Sequence, residues 1–303
     1  MSTALPIHTP SGMTDRLTVL TLPPQLRAHI SWLEQSFTAT DYPDPARQNA
    51  ARSELADRVE GLATVLAQAS SAVRDDQAVV LRGLPAKSTA MVVAVASAIG
   101  PVVPSRPDRP LIDDLKPNPA ADEQTRTGDL RVALTPHTDN SSVPAPPEVL
   151  LLAFVHNGTP DSGGESTLTH IDDVAEALDA TDVELLQEPR YPSLNVPTDT
   201  GLAPTLTSVL ARSADGRLTV RYRDAALDAG IASDLAPETP SAAHVNALHR
   251  FTATVREPAR QTRVRLDTGD MLIIDNARFL HGRTEIEANA VRHLKRLYTR
   301  LNP

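Results

Sequence analysis

The sequence contains no cysteine, and this absence excludes several kinds of protein at once. Without thiols the chain can form no disulfide scaffold, iron–sulfur cluster or zinc-thiolate site, and it can use no cysteine nucleophile. No apolar run approaches the ~18 residues that a membrane-spanning helix needs, so we expect no membrane partner. An export signal has a basic stretch followed by an apolar one, and residues 1–16 lack this pattern. We therefore expect a cytoplasmic protein.

Basic and aromatic residues are also scarce. Lys and Arg number 29 against 38 Asp and Glu, which gives a net charge of −9. Proteins that bind nucleic acid need clustered basic residues for the phosphates, so we expect no nucleic-acid partner. Aromatic residues make up only 3% of the chain, so the core must be aliphatic. A small-molecule substrate is the partner that remains, and the composition indicates no oligomeric state.

The length of 303 residues suits one large domain, and we expect a single domain over residues 1–303. Apolar residues recur every three or four positions across residues 46–69, which predicts one helix. N-terminal helices and the first strands are expected within residues 1–100. Residues 101–129 are rich in proline and charge and show no period. Because such a long stretch in a compact domain is typically functional or disordered, we predict a lid loop there, with a solvated surface loop as the alternative.

Residues 130–303 differ in texture, with short apolar or alternating runs separated by turn residues. A continuous apolar run at 150–155 predicts a buried strand. The runs at 263–266 and 271–274, on either side of an Asp-Thr-Gly-Asp turn, predict two more strands. Many short strands with turn signals are typical of a β-sandwich or barrel. A helical insert is expected over about 240–258.

Histidine and aspartate form the clearest chemical pattern. His137 and Asp139 stand two residues apart, and in an extended segment such residues project to the same face. With His281, which follows a predicted strand, they would supply two imidazoles and one carboxylate. This is the ligand set of non-haem Fe(II) oxygenases, and it also suits Zn²⁺. A His-x-Asp pair alone is equally consistent with a turn or a helix cap, and spacing does not prove that His281 joins it.

The surrounding motifs favour the metal site over the turn. They share one property, which is that they follow each other along the chain in a fixed order: Val79–Pro85, His137–Asp139, Pro146–Pro147, Gly163–Ser166, Thr268–Asn276, His281–Arg283 and a downstream arginine. Together they span roughly residues 77–301. In this order they resemble the Fe(II)- and 2-oxoglutarate-dependent dioxygenases of the superfamily that contains taurine dioxygenase, gamma-butyrobetaine hydroxylase and clavaminate synthase.

The resemblance implies a fold and an activity. The fold is mainly β with flanking helices around a double-stranded β-helix, the jelly-roll or cupin-like core. His137, Asp139 and His281 would ligate Fe(II), with 2-oxoglutarate as co-substrate and O2 as oxidant, and succinate and CO2 would be released. Halogenating relatives lack the carboxylate ligand, so Asp139 favours hydroxylation of an unactivated C–H bond. By analogy, the substrate is a small polar metabolite of amino-acid or peptide origin.

The resemblance also implies which residues bind 2-oxoglutarate. The family holds the distal carboxylate with an arginine beyond the second histidine and with a hydroxyl from a Gly-Gly-x-Thr turn. Arg292, eleven residues past His281, is the expected arginine, because a guanidinium can bind a carboxylate through two parallel hydrogen bonds. Arg296 is the alternative. Ser166 stands at the hydroxyl position, and the side chain of Thr167 is expected to face the other way.

Two other functions stay open on the sequence. One is a metal-dependent hydrolase that uses the same two histidines and one carboxylate, which would need neither Arg292 nor Ser166. The other is a non-catalytic jelly-roll binding module, which would have no use for a complete set of ligands and co-substrate anchors.

Overall fold

A computed structural model describes residues 16–117, 131–159, 162–194 and 203–301. Within them, two β-sheets face each other and helices cover their outer faces. The major sheet has the order β1-β2-β13-β6-β15-β3, with β4 also pairing with β15. Its strands are β1 (Leu17–Thr21), β2 (Ala78–Arg82), β3 (Val102–Val103), β4 (Asp113–Leu115), β6 (Val149–Asn157), β13 (Met271–Asp275) and β15 (Arg292–Thr299).

The minor sheet has four strands among the described residues, in the order β12-β7-β14-β5, all antiparallel. They are β5 (Leu134–His137), β7 (Ser166–His170), β12 (Thr262–Val264) and β14 (Phe279–Arg283). Two further pairs of short strands lie between β7 and β12 along the chain: β8 (Tyr191–Ser193) with β9 (Thr205–Thr207), and β10 (Leu210–Arg212) with β11 (Leu218–Val220).

Helices precede the minor sheet in sequence and also interrupt it. The described α-helices are α1 (Ile30–Ser36), α2 (Pro45–Arg58), α3 (Leu62–Arg74), α4 (Thr89–Ala96), α5 (Ile171–Ala175), α6 (Ala180–Gln187), α7 (Asp224–Ile231) and α8 (Ala242–Val255). Short 3₁₀ helices cover Pro24–His29 and Pro258–Arg260. None of the helices in the described parts of the chain is long and apolar enough to cross a bilayer.

Alternation along the strands divides the buried side chains into layers. On β15, Leu294 and Tyr298 pack between the two sheets, whereas Leu297 packs against the N-terminal helices. On β14, Phe279 packs between the sheets and Leu280 packs against the helices that follow β7. Because side chains two apart share a face, Arg296 and His281 point into the space between the sheets. The prediction of a mainly β chain with flanking helices and a jelly-roll core is confirmed.

The predicted single helix over 46–69 is wrong, because α2 ends at Arg58 and α3 starts at Leu62. Gly61 lies between them with φ +79, a left-handed conformation that glycine adopts without steric cost. The apolar residues on either side of the turn still face the same core, since Val59 and Leu62 are both buried in it. Apolar spacing therefore identified the buried face but not the turn.

The predicted lid over 101–129 lies partly outside the described residues, which stop at 117 and resume at 131. Within 101–117 the chain is not structureless, because β3 and β4 both pair with β15. Leu115 is buried between the sheets and lies opposite Leu294. The lack of a regular apolar pattern had suggested a loop here, but the backbone groups are hydrogen-bonded to β15. The role of a lid stays a prediction.

The helical insert is also larger than predicted. α8 lies within the expected range of about 240–258, but α5, α6 and α7 precede it. These helices bury Leu186, Leu227 and Phe251 in one cluster against the outer face of the minor sheet. The short α6 and α7 carry too few residues to show a helical period.

Candidate active site

The two histidines meet across neighbouring strands of the minor sheet. In the pairing of β5 with β14, His281 lies directly opposite His137, and their ring centroids are 4.4 Å apart. The strands can approach this closely because Gly282 follows His281. A Cβ at Gly282 would lie 2.6 Å from the carbonyl oxygen of Leu134 and 2.7 Å from Oγ1 of Thr167.

Asp139 stands just beyond β5, where its backbone is held by the side chain of Asn276. The Asn276 amide accepts a hydrogen bond from the Asp139 N–H (2.9 Å) and donates one to the Asp139 carbonyl oxygen (2.9 Å). Asn276 follows directly on β13 of the major sheet. The backbone of Asp139 is therefore held by a side chain that follows a strand of the opposite sheet.

The three predicted ligands converge on one point. Oδ1 of Asp139 lies 3.5 Å from Nε2 of His137 and 3.8 Å from Nε2 of His281, and the three ligand atoms all lie within 4.8 Å of one another. Ligand atoms that each stand ~2.0–2.2 Å from a common ion are ~3–4 Å apart. The arrangement is therefore of the right size for one metal ion.

The protonation states also suit a metal. Burial, followed by the neighbouring His137, lowers the pKa of His281 to about 3, so its imidazole is neutral. Burial by itself raises the pKa of Asp139, but the charge of Arg296 holds it well below its usual range. Nδ1 of His137 lies 2.8 Å from the Thr135 carbonyl oxygen. With the proton on Nδ1, this bond leaves the lone pair of Nε2 facing the centre.

The second oxygen of the Asp139 carboxylate is occupied by protein groups. Oδ2 accepts a hydrogen bond from the Tyr298 hydroxyl at 2.7 Å and one from Nη1 of Arg296 at 3.1 Å. Arg296 also contacts Oδ2 of Asp113, with Nη2 at 2.9 Å. The alternative arginine for 2-oxoglutarate is thus paired with two carboxylates, one of them a predicted metal ligand.

Arg292 has a different environment. It is 8% exposed, Nε donates to Oδ1 of Asn157 at 3.2 Å, and its guanidinium lies 5.2 Å from the ring centroid of Phe154. Within the described residues no carboxylate pairs with it. Burial, together with the charges of Arg283 and Arg265, lowers the pKa of Arg292 to about 9. A cation in this position favours an anion brought by a ligand.

The predicted hydroxyl donors face opposite sides of the minor sheet. Ser166 is buried and lies opposite Arg283, and it shares a face with Leu168, which packs between the sheets. Two residues earlier, Gly164 lies beside Arg292, since a Cβ there would be in van der Waals contact with the Arg292 side chain, 3.7 Å from its Cδ. Thr167 points the other way, opposite Gly282. The structure thus brings Ser166, but not Thr167, to the interior face.

Several residues around the centre were given no role in the sequence analysis: Asp113, Asn157, Asn276 and Tyr298. Tyr298 could have been found, because it is two residues from Arg296 on an alternating strand and so shares its face. Asp113 and Asn157 reach the site through cross-strand pairing, which spacing along the chain does not reveal.

A second group of possible metal ligands is formed by Asp76, His170 and Asp172. Here the carboxylates are already paired, because Nη2 of Arg278 lies 2.6 Å from an oxygen of each aspartate. Arg16 contacts the same group, with Nη1 2.7 Å from Nδ1 of His170. We interpret it as an ion-pair network that ties β1 and α5 to β14.

Comparisons with known proteins agree with this geometry. The model of a family described as taurine catabolism dioxygenase TauD, TfdA family matches residues 46–298. None of the curated proteins matches the sequence. Among solved structures, an asparagine oxygenase in complex with Fe(II), 2S,3S-3-hydroxyasparagine and succinate is similar over 93% of each chain, with 21% identity and a TM-score of 0.74.

The non-haem iron oxygenase OrfP is similar in two complexes. The match to its complex with Fe, succinate and (3R,4R)-dihydroxy-L-Arg covers 93% of each chain at 20% identity, with a TM-score of 0.70. The match to its complex with Fe and alpha-ketoglutaric acid covers 94% of each chain at 22% identity, also with a TM-score of 0.70. At these identities the likeness shows the shared fold.

Proposed function

Because this chain belongs to the TauD, TfdA family of taurine catabolism dioxygenases, we propose that it is an Fe(II)- and 2-oxoglutarate-dependent dioxygenase that hydroxylates a small amino-acid-derived molecule. The observation that carries the proposal is the pairing of a buried His-Asp-His cluster with a buried arginine to which no described carboxylate is paired. The amino-acid class rests on the similar structures, whose complexes hold hydroxylated asparagine or arginine.

His137, Asp139 and His281 would hold the iron. They fit it because two nitrogen ligands and one carboxylate oxygen lie within 4.8 Å of one another, and three such ligands would leave the other positions for co-substrate and oxygen. When bound together, Fe(II), 2-oxoglutarate and O2 supply the oxidising chemistry, and succinate and CO2 are released. The neutral His281 and the ionised Asp139 would need no proton loss to bind the ion. It also keeps bulk water from the centre, since His281 and Asp139 are buried.

Arg292 and Ser166 would bind the distal carboxylate of 2-oxoglutarate. Arg292 offers a buried cation, and the interior-facing Ser166 offers a hydroxyl on the adjacent segment. Arg296 is less suited to this task, because Asp113 and Asp139 already share its guanidinium. Thr167 has no place in the proposed site, since it lies on the outer face of its strand.

The two rival functions are less well supported. A zinc hydrolase on the same ligands would gain nothing from the buried cation at Arg292, which is unfavourable to hold without an anion. A non-catalytic module would not require that Asp139 stay ionised beside two imidazoles. We also propose a cytoplasmic location and no nucleic-acid partner, which the acidic and cysteine-free composition supports.

The proposed function is tested by measuring enzymatic turnover. Protein supplied with Fe(II), ascorbate, O2 and 2-oxoglutarate is incubated with a panel of free and derivatised L-amino acids, and succinate and substrate masses are measured. We expect one substrate to gain a single oxygen atom with stoichiometric succinate. Arg292→Met should abolish this reaction, and Thr167→Val, a matched change on the outer face of the minor sheet, should preserve it. Hydrolysis of a substrate without succinate would contradict the proposal.

A further inference from the structure

We infer that Tyr298 is a positioning residue for the metal centre, which holds one oxygen of Asp139 so that the other faces the ion. The inference rests on the proposed function and adds to it a residue with no assigned role. The Tyr298 hydroxyl lies 2.7 Å from Oδ2 of Asp139, whereas Oδ1 is the oxygen that faces His137 and His281. The hydrogen bond and the metal ligand are therefore on different oxygens of one carboxylate.

The tyrosine is itself held firmly. It is 2% exposed, and its strand is paired on both sides at this point, with Leu150 on β6 and Val103 on β3. Its ring packs in the cluster between the sheets. A side chain that is locked by packing in this way can fix the direction of its hydroxyl, which is what a partner of a metal ligand must do.

Two other groups hold Asp139, but neither controls its rotation alone. Asn276 grips only the backbone. Arg296 reaches Oδ2 at 3.1 Å, yet it is shared with Asp113. Without the tyrosine hydroxyl, the carboxylate could turn about its Cβ–Cγ bond and present both oxygens to the ion, or neither. Tyr298 thus keeps Asp139 a ligand through one oxygen and keeps the remaining metal positions open.

Tyr298 is also the partner that can be tested cleanly. Removing Arg296 would take a buried cation away from both Asp113 and Asp139, and breaking buried ion pairs destabilises a protein strongly. Tyr298→Phe deletes one oxygen atom and keeps the ring. Tyr191→Phe is the matched control, because Tyr191 is fully buried and its hydroxyl donates to the Leu185 carbonyl oxygen (3.2 Å) in the helical layer.

The experiment measures binding of Co(II) to the metal-free protein by calorimetry, with the visible absorption spectrum of the Co(II) form as a second readout. Loss of an outer partner of a metal ligand typically weakens binding about 10–100-fold. We expect that loss for Tyr298→Phe, with an altered Co(II) spectrum, and less than a twofold change with an unaltered spectrum for Tyr191→Phe. Tyr298→Met, a second variant without the hydroxyl, is used if Tyr298→Phe does not fold.

Asp139→Ala separates this inference from the proposed function. If Asp139→Ala loses Co(II) while Tyr298→Phe binds it with the affinity and spectrum of the parent protein, the positioning role is overturned and the metal site stands. If Asp139→Ala also binds as the parent does, the metal site itself is wrong. If Tyr191→Phe weakens binding as much as Tyr298→Phe, the effect is a general one of buried tyrosines and the inference fails.

Discussion

Replacing Arg292 with methionine should stabilise the ligand-free protein and abolish its response to 2-oxoglutarate. Burial and neighbouring charge lower the pKa of Arg292 from 12.5 to about 9. At about 1.36 kcal/mol for each pKa unit, holding the charge costs on the order of 5 kcal/mol of folding free energy. Methionine removes that cost, but it also loses the bond to Asn157 and the contact with Phe154, each about 1 kcal/mol. The net gain in stability should be about 2–3 kcal/mol.

The response to 2-oxoglutarate should change in the opposite direction. A ligand at a hundred times its dissociation constant adds about 2.7 kcal/mol of stability, or roughly 5 °C in unfolding temperature for a chain of this size. Breaking a buried pair between Arg292 and a carboxylate costs about 3–5 kcal/mol, more than a hundredfold in affinity. At the same concentration the variant should therefore show almost no rise. Calorimetric melts of metal-loaded protein, with and without 2-oxoglutarate, measure both quantities.

Arg278 provides the matched control, because it is equally buried but is paired with Asp76 and Asp172. Arg278→Met should lower the unfolding temperature, since Asp76 and Asp172 lose the cation at 2.6 Å and keep only Arg16, at 3.6 and 3.7 Å. It should keep the rise with 2-oxoglutarate. The reasoning is refuted if Arg292→Met is less stable than the parent protein without ligand and still gains the full rise with it.

Three further outcomes are expected. Ser166→Ala should weaken 2-oxoglutarate binding by about 0.5–1.5 kcal/mol, or up to about 3 if the bond is to a charged oxygen; calorimetric titration measures it, and no loss would remove Ser166 from the site. The metal-free protein should lose stability as the pH falls from 6.5 towards about 3, because the unfolded chain protonates His281 before the folded one does, at about 1.4 kcal/mol for each pH unit. Urea melts at pH 7 and pH 5 check this, and His281→Leu should lessen the difference; an unchanged difference would contradict it. Gly282→Ala should lower both unfolding temperature and Co(II) affinity, since its methyl group would lie 2.6 Å from a carbonyl oxygen on β5; wild-type affinity would show that the strand pair tolerates separation.

Local pattern predicted much of the chain. The apolar runs at 150–155 and 271–274 correspond to β6 and β13 within a few residues, because a strand that is buried on both faces carries apolar residues at consecutive positions. The His-Thr-Asp triplet was found because its two ligands are close in sequence. His281 could be joined to them only by resemblance, since its position opposite His137 depends on the pairing of β14 with β5.

What could not be predicted depends on contacts between distant segments. The segment with Asp113 looked like open loop, yet it pairs with β15 and brings a carboxylate to Arg296. That contact is what distinguishes Arg296 from Arg292, although both arginines share a strand and lie four residues apart. A sequence shows that two cations are available, but only the neighbours of each show which one has been neutralised.

The proposed site also spans a seam of the fold. His137 and His281 belong to the minor sheet, whereas Arg292 begins the last strand of the major sheet. A 2-oxoglutarate molecule that chelates the ion at one end and binds Arg292 at the other would link the two sheets non-covalently. Each turnover would remove this link, because the molecule is shortened by one carbon. Resistance to cellular proteases would then follow the supply of a central metabolite, and the enzyme would persist longest where its own co-substrate is plentiful.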